Sequence, residues 1–283
     1  MKKLLIYNDV QYHYEVIESV IVKYRELLKE IPKDEEVKIY FFNYPHKSYE
    51  SYKEYIQKKY PDIVFYLIRD YDYMINITVY DKNYKSLKTN VDSNEKYISH
   101  EVTNRLLLNP NVYFLTPITK MNYFSADILP YANEKVKTKV PVYVIQGSNF
   151  HMRRHLRSLE NILTKKYKYE FIIKLVGGNT FPRELLKYKD KFKMINYNGY
   201  EKYHREFLDC YCIMTLLTKK SHPQYYSNKL TSSINYAKGY NLKCLIDREL
   251  QDIYQLTNVE IYKNENDICD AFEKTLEEFY NSV

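Results

Sequence analysis

From Pro141 to the C-terminus, short apolar runs alternate with amphipathic stretches, and the first three runs stop at glycine-bearing turns. Val142–Gln146 ends at Gly147, Phe171–Val176 at Gly177-Gly178, and Phe192–Ile195 at Asn196-Tyr-Asn-Gly199. Tyr211–Leu217, Leu242–Ile246 and Val259–Tyr262 complete the set of strands. Between them Leu156, Leu159, Ile162 and Leu163 recur at helical spacing, and further helices cover Glu184–Lys187, Tyr203–Leu208, Thr231–Lys238 and Arg248–Tyr254. A last helix carries Ile268, Phe272, Leu276 and Phe279 on one stripe. Strands separated by helices cannot close as hairpins and pair in parallel, so this half predicts a doubly wound α/β sheet.

The first half is α/β as well, but less regular. Leu4–Tyr7, Val37–Phe42 and Ile63–Ile68 read as parallel strands, joined by helices near Val16–Leu28 and Tyr49–Gln57. Ile75–Val79 alternates apolar and polar residues as an edge strand or hairpin arm does. Lys96–Ser99 and Val112–Leu115 follow. The lysine-rich stretch 131–140 before Pro141 is the natural linker. The expected domains are therefore residues 1–135 and 136–283, with the C-terminal helix a candidate to pack back towards the first domain.

Composition narrows the function classes. A chain of 283 residues with 45% hydrophobic and 28% charged residues has material for two folded domains. It contains 34 tyrosines, no tryptophan and 5 glycines. Tyrosine, lysine, asparagine and isoleucine share A/T-rich codons, so tyrosine clusters are weak evidence for base stacking. The net charge of +7 is spread over 43 basic and 36 acidic residues, which suits a phosphate-bearing small molecule better than nucleic acid. The apolar run after Met1 is shorter than the roughly 7–15 residues of a signal peptide or the about 20 of a spanning helix, so a cytoplasmic protein is expected. Cys210, Cys212, Cys244 and Cys269 form no recognised framework, and Cys210 and Cys212, on one face of an expected strand, read as core residues rather than zinc ligands.

In an open parallel sheet, ligands bind beyond the carboxyl ends of the strands. Four loops there carry the chemistry. Gly147-Ser-Asn149-Phe-His-Met-Arg153-Arg154 sets two arginines at a helix entry, where the macrodipole opposes cations unless an anion lies between them. Gly177-Gly178 permits a tight turn against a ligand. Asn198-Gly199-Tyr200 offers backbone and a ring to a planar base. Asn228-Lys229-Leu-Thr231-Ser232-Ser233 opens a helix with more hydroxyls than capping needs, as a phosphate site would.

With those loops, Val142–Tyr280 resembles the C-terminal domain of GT-B-fold glycosyltransferases. The points of likeness are Gly147 before the basic Arg153-Arg154 segment, a glycine after the next strand, and Ile195-Asn-Tyr-Asn-Gly199-Tyr200. Ser233-Ile-Asn-Tyr-Ala237-Lys-Gly239, placed between two apolar strands, matches the Ala-x-Gly helix. The resemblance implies two Rossmann-like doubly wound domains facing across a cleft, the first on the acceptor side and the second binding a nucleotide sugar. It implies that Gly147, Asn149, Arg153, Arg154, Asn228, Lys229, Thr231, Ser232 and Ser233 hold the donor diphosphate. Gly177, Gly178, Asn198, Gly199 and Tyr200 would hold the base and ribose. Many retaining members carry two glutamates before the Ala-x-Gly element, whereas this chain has Tyr226 and Ile234.

The expected reaction is transfer of a sugar from a UDP- or GDP-sugar to an acceptor hydroxyl, with no bound metal and no other cofactor. The acceptor is a glycan, lipid or protein, and no nucleic-acid partner is expected. In the family a base often follows the first strand, here Asn8-Asp9-Val-Gln-Tyr-His13, and His100 stands at another strand end. Asp9, His13 and His100 are thus the catalytic candidates. Two alternatives remain: an inactive GT-B-like binding protein, and a metal-dependent GT-A-type transferase using the Asp-x-Asp of Asp70 and Asp72.

Overall fold

The computed structural model describes residues 1–10, 13–45, 49–119, 121–128, 135–147, 153–177, 180–196 and 199–282. The chain divides into two compact units: unit 1 comprises Met1–Leu129 with Asn228–Leu230, and unit 2 comprises Pro130–Ser227 with Thr231–Val283.

Unit 1 is built on a parallel sheet of β1 (Lys2–Asn8), β2 (Val37–Asn43), β3 (Tyr73–Val79), β4 (Glu95–Ser99) and β5 (Val112–Phe114). Their order across the sheet is β2-β1-β3-β4-β5. This is a doubly wound order whose switch point lies between β1 and β3. Leu4, Ile6, Ile75 and Ile77 of the strands and Val16, Ile17 and Val20 of the helix Tyr14–Leu27 are all buried.

Two expectations are corrected here. Ile63–Ile68 is not a strand, and among the described residues its only ladder contact is an isolated Tyr40–Val64 bridge. Ile75–Val79 lies in a central strand rather than at an edge. Its polar alternation has a local cause, because the register with β4 shifts between Asn76 and Val79 and the Asn76 side chain accepts the Thr78 N–H at 3.1 Å. The pair Asp70 and Asp72 therefore precedes β3 instead of following a strand. The Asp72 carboxylate takes Lys3 N at 2.8 Å and Lys2 Nζ at 3.1 Å, while Asp70 takes Lys3 Nζ at 2.7 Å. Both acids close the amino end of the sheet with lysines, at the end opposite to where such sheets bind ligands.

Unit 2 holds the six-stranded parallel sheet: β6 (Val142–Gln146), β7 (Ile172–Val176), β8 (Phe192–Ile195), β9 (Cys212–Met214), β10 (Lys243–Asp247) and β11 (Val259–Tyr262). Its order is β11-β10-β9-β6-β7-β8, so the winding reverses between β6 and β9. Asp247 shows how closely the elements abut: it ends β10 and its carboxylate caps the next helix through Glu249 N at 3.0 Å and Leu250 N at 3.4 Å. Glu184–Lys187 falls in a 3-10 segment, Arg183–Lys191, rather than an α-helix.

The last helix, Ile268–Ser282, packs on unit 2's own core. Phe272 meets Tyr143 with ring centroids 4.5 Å apart, and the Thr275 and Tyr143 hydroxyls lie 2.7 Å apart. Its apolar stripe is thus consumed within the unit that contains it. Among the described residues no helix is long and apolar enough to cross a membrane.

Candidate functional site

At the switch point of unit 2, the loop after β6 and the helix Ser232–Gly239 after β9 meet. The two neighbouring arginines separate there: Arg153 is exposed, while Arg154 is 6% exposed. Arg154 Nη1 donates to the Arg153 carbonyl at 2.6 Å, and Nη2 donates to the Gln146 carbonyl and to Ser233 Oγ, the latter at 3.0 Å. Its Nε is buried without a partner among the described residues, and no described carboxylate forms an ion pair with this guanidinium. Burial pushes its pKa down to about 10, with Tyr225 opposing the shift and Arg153 adding to it. A guanidinium with that value is still charged at neutral pH. Taking such a charge out of water without an anion is costly.

The surroundings are fixed by hydrogen bonds. Gln146, the polar residue ending β6, accepts from Ser232 Oγ at 3.2 Å and Ser233 Oγ at 3.3 Å and donates to Tyr203 Oη at 2.9 Å. The two serine hydroxyls face the end of β6 rather than capping their own helix. Thr231 stands at the N-cap without a side-chain capping bond.

Gly147 and Gly177 both have positive φ, 119° and 93°. A Cβ at Gly147 would lie 3.4 Å from Arg154 Nη2, and one at Gly177 would lie 3.4 Å from the Tyr203 ring and 3.6 Å from the Gly147 backbone. The two turns therefore pass each other closely, and it is the positive φ rather than a lack of space that calls for glycine at both.

The remaining sequence candidates divide. Gly199 has φ 102° and starts the helix Tyr200–Arg205. Tyr200 is 4% exposed, with its ring 4.4 Å from that of His204, so it serves the core rather than offering an open face to a base. Asn149, Gly178 and Asn198 lie outside the described residues. Asn228 and Lys229, expected on the diphosphate, are placed with unit 1: the Asn228 carbonyl accepts Val102 N at 2.8 Å and Lys229 Nζ pairs with Glu101 at 3.3 Å.

Gln146 and Tyr203 were not singled out from the sequence. A polar residue closing an otherwise apolar strand was the available signal for Gln146, whereas Tyr203 is hidden by the abundance of tyrosine. The opposite, amino end of this sheet has a cavity of about 420 Å³ lined by Lys135, Asp209, Lys243 and Glu278. Two of its three lysines are engaged: Lys243 pairs with Glu278 at 2.9 Å and Lys135 donates to the Asn241 carbonyl at 2.7 Å. That cavity lacks the buried, carboxylate-free guanidinium of the switch point.

In unit 1 the catalytic candidates gather at the carboxyl ends of β1 and β4. Asp9 is exposed just after β1. His13 adopts a left-handed conformation, φ 71°, and its Nδ1 lies 3.3 Å from Glu15 Oε1. The His13 and His100 rings approach to 3.4 Å between centroids. Burial holds His100 well below the usual imidazole pKa, His13 adds to this, and a hydrogen bond to the Ile77 backbone opposes it. Burial raises the Glu15 pKa, but the His13 contact outweighs it and leaves the carboxyl lowered. Glu15 is a third member of the group that sequence reading missed.

No protein-family model and no curated protein matches this chain. Solved structures do. AviGT4, a glycosyltransferase involved in avilamycin A biosynthesis, aligns over 98% of this chain and 88% of its own at 10% identity, with a TM-score of 0.57. Sucrose-phosphate synthase from Thermosynechococcus elongatus aligns over 98% and 90% at 9% identity, TM-score 0.54. A co-structure of S. aureus MnaA with UDP aligns over 99% and 89% at 8% identity, TM-score 0.53. At such identities the likeness establishes the fold: two Rossmann-like units of the GT-B glycosyltransferase type.

Proposed function

We propose that the protein is a glycosyltransferase that takes a sugar from a nucleoside diphosphate donor and passes it to an acceptor hydroxyl. The observation that carries this reading is Arg154, a buried guanidinium without a carboxylate partner among the described residues, set at the switch point of a doubly wound sheet. A pyrophosphate supplies the missing anion, and the Nε–H left without a partner among the described residues offers it a charge-assisted hydrogen bond. Charge growing on the leaving diphosphate would then be stabilised by a preorganised cation, with no metal needed at that position. Support also comes from the fold and from the UDP held by one structural neighbour.

In this reading Gly147, Asn149, Arg153, Arg154, Thr231, Ser232 and Ser233 surround the diphosphate. Gly177, Gly178, Asn198 and Gly199 approach the base and ribose. The group Asp9, His13 and His100 is assigned to the acceptor side, where a proton must leave the attacking hydroxyl.

Melting curves and calorimetry with UDP, GDP, CMP and their sugars provide the test. A nucleoside diphosphate at a hundred times its Kd should stabilise the fold by about 2.7 kcal/mol. Arg154→Met should weaken its binding by about tenfold to a hundredfold, the scale of a lost charge-assisted hydrogen bond of about 1.5–3 kcal/mol. Release of the diphosphate from a nucleotide sugar in the presence of acceptor then reports turnover. Absence of nucleotide binding, or wild-type affinity in Arg154→Met, overturns the reading. Binding without turnover would instead identify an inactive nucleotide-binding module.

A further inference from the structure

We propose that His13, Glu15 and His100 form a site for one divalent transition-metal ion of the zinc class, built into unit 1. One ligand atom from each of the three lies within 4.8 Å of those of the other two. They come from both sides of the central strand: His13 and Glu15 from the start of the helix that follows β1, His100 from the end of β4. Metal bonds of about 2.0–2.1 Å in a tetrahedron set ligand atoms about 3.3–3.4 Å apart. His13 Nδ1 and Glu15 Oε1, at 3.3 Å, already stand at that separation.

A hydrogen bond alone would account for the His13–Glu15 contact, but not for His100. Its Nε2 is buried and meets no partner among the described residues. The bond to the Ile77 backbone must then come from the other ring nitrogen, Nδ1. That bond puts the proton on Nδ1 and leaves the Nε2 lone pair for a ligand. Backbone carbonyls orient metal-binding histidines in this way.

Two imidazoles and one carboxylate are a zinc donor set with a fourth position left open. An acceptor hydroxyl bound there would be acidified by the ion. His13 and His100 would then be ligands rather than bases. The metal site itself does not depend on the glycosyl-transfer reading, because its test requires no sugar or nucleotide.

The full chain, stripped with a chelator, is titrated with Zn²⁺ and with Co²⁺, followed by calorimetry, elemental analysis and the visible absorption of bound Co²⁺. We expect one equivalent to bind, a raised melting temperature, and a Co²⁺ spectrum typical of a tetrahedral N/O site. His100→Ala and Glu15→Gln should each weaken binding at least about tenfold, given that even outer-shell changes cost that much. His155→Ala, at a histidine paired with Glu265 in unit 2, should not. Glu15→Gln preserves side-chain shape and keeps the test valid if His100→Ala fails to fold. Lack of stoichiometric binding, or wild-type affinity in the Glu15 variant, overturns the site.

Discussion

At the residue scale, the second unit's site depends on Arg154 and the glycines beside it. Replacing Arg154 by methionine removes three hydrogen bonds, each of about 1 kcal/mol, but also removes a desolvated charge whose burial costs several kcal/mol. The ligand-free melting midpoint should therefore stay within about 2 kcal/mol of the native protein's while nucleotide affinity collapses. Gly147 is the opposite case. At φ 119° any other residue is strained, although its Cβ would only touch Arg154 Nη2 at 3.4 Å. Gly147→Ala should cost about 1–3 kcal/mol in denaturant unfolding and also weaken nucleotide binding, since the strain falls on the turn that holds the arginine. The sequence singled out both positions. It did not reveal that Arg153 stays in solvent while Arg154 turns inward, because neighbouring identical residues carry no mark of which faces the sheet.

At the element scale, β4 begins on a buried carboxylate. Glu95 is 6% exposed and accepts from Tyr71 Oη at 2.9 Å and Tyr97 Oη at 2.7 Å, with Lys88 Nζ 2.6 Å away. Burial raises its pKa, but Lys88, Tyr97 and Tyr71 outweigh that and leave it below the ordinary 4.5. The sign follows from linkage. Between the lowered native value and 4.5 the unfolded chain binds the proton and the native one does not, so stability rises with pH across that window. The contribution is complete above 4.5 and is lost as pH falls through the native value. Glu95→Gln should flatten this acid limb in melts taken across the window, and an unchanged limb would show that other groups dominate. Elements of strong period were legible from the chain alone, as β6, β7 and the last helix demonstrate. Ile63–Ile68 was not, since an apolar run reports burial and says nothing of whether a strand partner is at hand.

At the scale of the whole molecule, the three residues Asn228–Leu230 belong to unit 1 although both flanking segments belong to unit 2. An antiparallel bridge between Glu101 and Lys229 holds them, together with the Lys229–Glu101 ion pair at 3.3 Å. That pair is partly exposed, so Lys229→Ala should cost no more than about 1 kcal/mol and leave nucleoside diphosphate affinity unchanged. A tenfold loss of affinity in calorimetry would return Lys229 to the diphosphate. By itself, the sequence determined the α/β class, nearly all strands of the second half and the carboxyl-end loops, because hydrophobic period and glycine punctuation are local properties written along the chain. Tertiary structure alone decided which arginine is buried, that Gln146 and Tyr203 complete its setting, that Asn228 and Lys229 join the other unit, and that two histidines from distant positions meet beside Glu15. Each of these depends on strand order and register, which bring together residues whose separation along the chain carries no trace of their proximity.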